Sequence, residues 1–189
     1  MSQKNKVTYG LSNVHVAFKN ADGTYETPIA IPGAVSWTPS TAGGQSNFVA
    51  DNDGNYFVHN VNNGYTADLA VALLPDEVLV QMLGWEIDDD GALIELAEGK
   101  PTKFALMFQV EGDQRNRKTV YYDCQANRPA KEHATTGDTI EVAPDQLSIV
   151  VSKTKINDKM VVKATLEESD ENKVKYDAFF DSVYGITGA

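Results

Sequence analysis

The chain has 189 residues and 42% of them are hydrophobic, which favours one globular domain able to bury about 70% of its unfolded surface. Its 27 acidic and 16 basic residues give a net charge of −11, which argues against ordinary nucleic-acid binding because that affinity comes from Lys and Arg neutralising phosphates. No run of about 18 apolar residues occurs, so no membrane span is predicted, and a single cysteine excludes an intrachain disulfide framework.

The first predicted element is a strand at residues 14–18, where apolar and polar residues alternate. Residues 21–24 supply a turn, since Asp and Gly favour turn conformations, and residues 29–31 begin a return strand. The alternation resumes at 35–37 and is expected to end at Pro39. A proline removes a donor from a strand ladder and therefore marks a strand boundary or an edge strand.

The next segment, residues 39–60, is predicted to be a long loop or hairpin excursion. Residues 38–47 are small, polar and glycine-bearing, which is typical of a flexible loop, whereas Tyr56 and Phe57 make the later part aromatic. A segment of this length without its own core is often functional or becomes ordered on assembly. The Asn-Gly pair at 63–64 is a strong tight-turn signal leading into the next strand.

Residues 65–73 predict a strand with one apolar face, formed by Tyr65, Ala67, Leu69, Val71 and Leu73. A short helix should follow it. Pro75 suits the first helical turn, the acids at 76–77 suit the positive end of the helix dipole, and Gly84 suits the C-terminal stop. Residues 88–91 are then expected to form a hairpin tip.

The clearest strand pair lies in the C-terminal half. Residues 104–110 and 120–124 alternate regularly, and residues 112–116 form the turn between them. Further strands are predicted at 140–142, 147–151 and 160–166.

A C-terminal amphipathic helix is predicted over 173–184, because five apolar residues fall on one helical face: Tyr176, Phe179, Phe180, Val183 and Tyr184. This face would pack on a sheet. The expected fold is therefore mainly β, an antiparallel β-sandwich or barrel with a short mid-chain helix and this C-terminal helix. Residues 1–189 are expected to form a single domain.

No motif predicts a catalytic, metal or cofactor site. The acidic run at 51–55 fails the EF-hand pattern, which places Gly at position 6, because Gly54 stands at position 4; a turn is expected instead. Asp88–Asp90 are consecutive, so their side chains do not converge on a cation. The three histidines have no zinc-site spacing, and Cys124 on a predicted strand is expected to be buried rather than nucleophilic.

Arg115, Arg117 and Lys118 form the only tight basic cluster of the sequence. Aromatic residues are not interleaved with it, which favours a solvated hairpin tip over a nucleic-acid patch. A contact with an acidic neighbour in an assembly is the alternative.

Five segments occur in an order that is informative as a set. They are VTYGLSNVHVAF, IPGAVSWTPS, DNDGNYFVHNVNNGYTADLAVALLPD, KPTKFALMFQVEGDQRNRKTVYYDCQANRP and VKYDAFFDSVYG. In this order they resemble the major tail proteins of long-tailed, non-contractile bacteriophages, from Val7 to about Tyr184. The resemblance implies a tail-tube-like fold, a β-sandwich with a flanking helix.

The resemblance also implies a structural virion protein without a cofactor, and not an enzyme. Six copies would form a ring, and stacked rings would form the tail tube, a conduit for DNA ejection assembled in the bacterial host cytoplasm. The expected partners are other copies of the chain, the tape measure protein, and the tail terminator and distal tail proteins. DNA would pass without specific binding, through a lumen expected to be predominantly acidic.

Ring formation and stacking each need a patch that meets a different patch on the next copy, and unpaired strand edges offer templates for such contacts. The excursion between residues 38 and 60 is the candidate segment for reaching a neighbour. The candidate inter-subunit residues are Thr41, Gly43, Gly44, Phe48, Tyr56, Phe57, Arg115 and Arg117.

A second function fits the same pattern of strands. A β-sandwich receptor-binding or decoration module on a particle surface would show a discrete aromatic patch, around Tyr56 and Phe57, and would not self-polymerise. An enzyme is the least favoured class, since no acid/base pair or nucleophile set stands out.

Overall fold

The structure is a computed structural model that describes residues 7–131, 135 and 143–186. Its helices are α1 (Asp76–Leu83) and α2 (Lys173–Asp177), and a 3-10 turn at Ala178–Phe180 follows α2 directly. Its strands are β1 (Leu11–Phe18), β2 (Ile29–Ala30), β3 (Ala34–Ala50), β4 (Asp53–Val71), β5 (Glu86–Ile87), β6 (Leu93–Ile94), β7 (Phe104–Val110), β8 (Lys118–Ala126), β9 (Asp145–Ser152), β10 (Thr154–Ile156), β11 (Lys159–Val161) and β12 (Lys163–Leu166).

The main sheet has eight antiparallel strands in the order β2-β1-β7-β8-β9-β4-β3, and β12 pairs with the part of β8 that β9 does not reach. This confirms the predicted mainly β, antiparallel architecture with short helices. The path has two free ends, β2 and β3, so the sheet curls around its core in a sandwich-like way without closing into a barrel.

The main core lies on the inner face of the curled sheet. Strand β9 shows the cause most clearly, because Leu147, Ile149 and Val151 are buried while the residues between them are exposed. Helix α1 packs into the same core through Val78 and Met82. It ends as predicted at Gly84, which adopts a left-handed conformation with φ 71°.

A second apolar cluster covers the outer face of β1, β7 and β8. Phe179 and Val183 pack there against Met107 and Val120, so the C-terminal segment does lie on a sheet. The predicted helix over 173–184 is nevertheless wrong in length. Regular helix stops at Asp177 and tightens into the 3-10 turn, in which the Asp181 amide donates to the Ala178 oxygen at 3.1 Å. The Tyr122 hydroxyl donates to the Tyr184 oxygen at 2.9 Å and ties the end of the segment to the sheet.

Three local predictions between residues 38 and 64 are wrong. Residues 38–47 are not a flexible loop but part of β3, and Pro39 does not end that strand. Strand β3 tolerates the proline because it is an edge strand. Asn63-Gly64 forms no turn; both residues lie inside β4. The hairpin turn is instead at Asp51 and Asn52, which have φ values of 50° and 60°.

The remaining differences lie late in the chain. Residues 160–166 form two strands instead of one, with β11 paired to β10 and β12 paired to β8. The break falls at Val162, whose carbonyl oxygen accepts a hydrogen bond from the Tyr122 amide at 3.1 Å. The strand predicted at 140–142 lies outside the described residues.

Candidate functional site

The β3–β4 hairpin extends far beyond the body of the sheet. Strand β4 pairs with β9 only from Tyr65 to Val71, whereas β3 and β4 remain paired with each other out to Ala50 and Asp53. We call residues 42–63 the arm. At roughly 3.3 Å per residue, the nine residues from 42 to 50 make it about 30 Å long, and its ladder joins only its own two strands.

A β-bulge marks the root of the arm. Thr41 is paired with Tyr65 and Gly43 with Asn62, so one residue of β3 stands opposite two residues of β4. The extra residue is Gly64, with a φ of 95°, and its amide donates to the Asn62 side-chain oxygen at 2.9 Å. The positive φ that the Asn-Gly pair signals is therefore present, but it bends a strand instead of reversing it.

Aromatic contacts hold the root against the body. The Tyr65 ring meets the Tyr121 ring edge-on at 5.5 Å, and Trp37 meets Tyr121 at 5.3 Å. The Lys163 ammonium lies 5.1 Å from the centre of the Tyr65 ring. These contacts fix the direction in which the arm leaves the sheet.

The tip of the arm exposes aromatic side chains. Phe48 stands directly opposite Phe57 in the ladder, and the Phe48 and Tyr56 ring centres are 6.5 Å apart. Each of the three side chains remains about 60% exposed: 61% for Phe48 and 59% for Tyr56 and Phe57. The body of the chain covers none of the three, and exposed apolar side chains grouped at one end of a hairpin are the kind of surface that marks an interaction site.

A shallow groove of about 390 Å³ lies at the base of the arm. Gly43 and Gly44 form one wall, and Val61 and Asn62 form the other. A side chain at Gly43 would collide with the Val61 carbonyl group, so this glycine is required by the hairpin itself. A side chain at Gly44 would meet no atom within 4 Å.

Six of the eight candidate residues from the sequence therefore fall on one structural unit. Thr41, Gly43 and Gly44 lie at its base, and the three aromatic residues lie at its tip. The other two, Arg115 and Arg117, lie at the β7–β8 turn, where each guanidinium already pairs within the chain. Arg115 binds Glu167. Arg117 binds Asp113 and holds the pKa of that buried carboxyl below its ordinary value.

Lys118 does not belong to a solvated basic tip. Its ammonium donates to the Tyr176 carbonyl oxygen at 2.7 Å and lies 4.0 Å from the Tyr176 ring centre and 4.9 Å from that of Phe180. Burial lowers the pKa of this lysine. No local pattern around Lys118 indicates this role, because the two rings that its ammonium contacts are 58 and 62 positions further along the chain.

Asp123 is a second buried charge that the sequence pattern did not single out. Its carboxylate accepts from Lys19 at 2.7 Å and from Lys103 at 2.6 Å. Burial alone would raise its pKa, but the hydrogen bonds from these two lysines outweigh burial and hold the pKa below its ordinary value. The ion pairs tie β8 to the end of β1 and to the start of β7.

Cys124 is buried on the inner face, and burial raises the pKa of its thiol, as expected for a packed strand cysteine. Within the described ranges, no three His, Cys, Asp or Glu side chains are grouped so as to hold a metal ion. The described residues also contain no helix long and apolar enough to cross a membrane.

Comparisons with known proteins identify no family for the chain, but a solved structure resembles it. No family model matches the chain, and no curated protein matches it. Among solved structures, a chain of the anti-feeding prophage baseplate, determined by cryo-EM with six-fold symmetry imposed, aligns with 88% of this chain and 98% of its own length. The TM-score is 0.46 and the sequence identity is 9%.

Proposed function

We propose that the chain is a phage tail-tube subunit, a structural virion protein that assembles into hexameric rings. The rings stack into a hollow tube through which DNA is ejected. The proposal begins from the resemblance of the five ordered sequence segments to major tail proteins of long-tailed, non-contractile phages. The single observation that carries it further is the arm, an ordered hairpin whose exposed aromatic tip needs a partner outside its own body.

The energetics of the tip favour self-association. Fully burying an aromatic side chain stabilises a contact by about 1.5–3 kcal/mol, and Phe48, Tyr56 and Phe57 are all more than half exposed. An arm about 30 Å long, by the strand rise of roughly 3.3 Å per residue, carries this patch well away from its own core. A neighbouring copy that covers the tip therefore gains most of this burial.

The two edge strands of the main sheet differ in length. One end of the path is β2, which has two residues, and the other is β3, which has 17. Contacts made between these ends on successive copies would join two different patches. Such heterologous contacts generate closed rings or open filaments, whereas contacts between identical patches generate dimers.

The proposal extends to the location and the partners. The tube would form in the bacterial host cytoplasm and remain in the virion tail, around the tape measure protein and between the tail terminator and distal tail proteins. DNA would pass without specific binding. The chain would carry out no catalysis and hold no cofactor.

Negative-stain electron microscopy of the purified chain tests the proposal. We expect rings with six-fold end views or tubes of uniform diameter. The matched control is a variant in which Gly44–Val61 is replaced by a two-residue Asn-Gly turn, which removes the arm and keeps the β9-paired part of β4. A wild-type chain that stays monomeric at high concentration would contradict the proposal.

The exposed aromatic tip also suits the second candidate function, a receptor-binding or decoration module. That function predicts a persistent monomer with affinity for a glycan or protein, and loss of that affinity in Tyr56→Ser. Tubes whose formation depends on the same aromatic side chains would decide for the first function.

A further inference from the structure

One exposed face of the sheet differs from the rest of the surface in its chemistry. It is the outer face of β3, β4 and β9, and two rungs of the ladder cross it: Thr38–Asp68–Ser148 and Ser40–Thr66–Val150. All six side chains are exposed. We call these six residues the hydroxyl face, because four of them are Ser or Thr and only Asp68 is charged.

The two other broad faces of the sheet are already occupied. The inner face holds the main core, and the outer face of β1, β7 and β8 lies under the C-terminal segment. The hydroxyl face is therefore the broad sheet surface that the described body leaves open. Its alternation is regular, since Leu69 and Ile149 beside it point inward and are buried.

The part of the sequence that forms β3 and β4 contains no basic residue of the Lys or Arg type. Residues 20–99, which include all of β3 and β4, contain acidic residues but no Lys or Arg; all 16 basic residues lie outside this range. On the hydroxyl face the one carboxylate, Asp68, accepts a hydrogen bond from the Ser148 hydroxyl at 2.9 Å. Exposed cations lie elsewhere, for example at Lys175 on α2.

The absence of cations has a specific consequence for a duplex. Protein affinity for DNA comes chiefly from Lys and Arg that replace condensed counterions on the phosphates. A wall of hydroxyl groups releases no counterions. A sparse carboxylate repels the duplex over only about 8 Å at physiological salt. Such a wall neither holds the duplex nor opposes its approach strongly.

Resting on the proposed function, we infer that the hydroxyl face lines the bore of the tube. DNA then slides past a wall of Ser and Thr side chains with one apolar residue, Val150, and one carboxylate, Asp68, for each subunit. This places the face opposite to the C-terminal segment, which lies toward the outside of the tube. It also makes the charge of this part of the lumen negative, in line with the predominantly acidic lumen expected from the sequence, and limits that charge to one carboxylate in each subunit.

Cysteine accessibility tests this assignment, because the single native thiol, Cys124, is buried. The bore variants are Ser148→Cys and, as a second position on another strand, Thr38→Cys. The matched control is Val174→Cys on α2, where the side chain is 83% exposed. Each variant is treated with a small maleimide and with a maleimide on a bulky polymer, before and after tube assembly.

In the unassembled chain, all three cysteines should react with both reagents. In open-ended tubes, the two bore variants should keep their reaction with the small maleimide and lose that with the bulky one. Val174→Cys should react with both throughout. If the bore variants still react with the bulky maleimide in tubes, the hydroxyl face lies on the outer surface of the tube. If they react with neither reagent, the face lies in a subunit interface. Either result overturns the inference. Tubes that fail to form with the wild-type chain overturn the proposed function, and the inference with it.

Discussion

Gly64 lies against the carbonyl group of Val151 where β4 leaves β9 and the arm begins. A Cβ atom added to Gly64 would collide with the Val151 oxygen, and the residue has a φ of 95°. Both conditions exclude other residue types without a backbone shift. The bulge at the root of the arm thus requires glycine at this position.

Gly64→Ala should destabilise the chain. The left-handed conformation alone costs a residue with a Cβ about 1–2 kcal/mol, and the collision adds to it, so we expect a loss of at least about 2 kcal/mol in chemical unfolding. Gly54→Ala is the matched control on the same hairpin, since a Cβ there meets no atom within 4 Å. Equal stability of the two variants would show that the root is not constrained as described.

Removing the arm should separate folding from assembly. Residues 43–62 pair only with each other within the ladder, so replacing Gly44–Val61 by an Asn-Gly turn should leave the melting temperature nearly unchanged. Tubes should disappear in electron micrographs. The double variant Phe48→Ser/Phe57→Ser should give the same result with the full hairpin retained. Normal tubes from either variant would exclude the arm from the contact.

Asp123 should make stability depend on pH in the acid range, below about pH 4. Its folded pKa is lowered by Lys103 and Lys19, so its contribution is complete above the unfolded value of about 3.9 and is lost as pH falls through the folded pKa. Asp123→Asn should cost about 2–3 kcal/mol at pH 7 and should flatten the acid side of the stability profile. Asp89→Asn, which removes an exposed acid from the β5–β6 turn, is the control and should leave the profile unchanged.

Lys118 should hold the C-terminal segment on the sheet. Lys118→Met keeps most of the apolar stem but removes the hydrogen bond to Tyr176 and the cation–π contacts, at an expected cost of about 1–2 kcal/mol. Hydrogen exchange should accelerate in residues 176–186. Lys175→Met removes an exposed lysine from the same helix and should not change exchange there. Faster exchange in both variants would point to a general loss of helix instead.

The sequence predicted the parts of the fold that pack against a core. Strand β9 and helix α1 have periodic apolar residues because one face of each is buried, whereas β7 and β8 are apolar over most of their length because both of their faces are covered. The arm has no core to impose such a period, so TPSTAGGQSN predicts a loop although all ten of its residues lie in β3. The turn signal at Asn63-Gly64 was misleading for a related reason, because a bulge and a turn both need a positive φ.

The sequence predicted a hairpin or excursion over residues 39–60 and aromatic residues within it, but not the register of the hairpin. The exposed aromatic residues stood out in the sequence, whereas the pairing of Phe48 with Phe57 follows from a register that only the structure gives. The roles of Arg115 and Lys118 depend on Glu167 and Tyr176, which come from a segment about 50 to 60 residues later. No local pattern reports such a contact.

Pro39 divides the free edge of β3 into two docking zones. Pro39 is exposed in an edge strand, and a proline has no amide donor to offer an incoming strand. A neighbour that adds to this edge must stop at the proline or begin beyond it. The edge is therefore protected from uncontrolled strand addition along its full 17 residues, and body and arm can each accept a different neighbour.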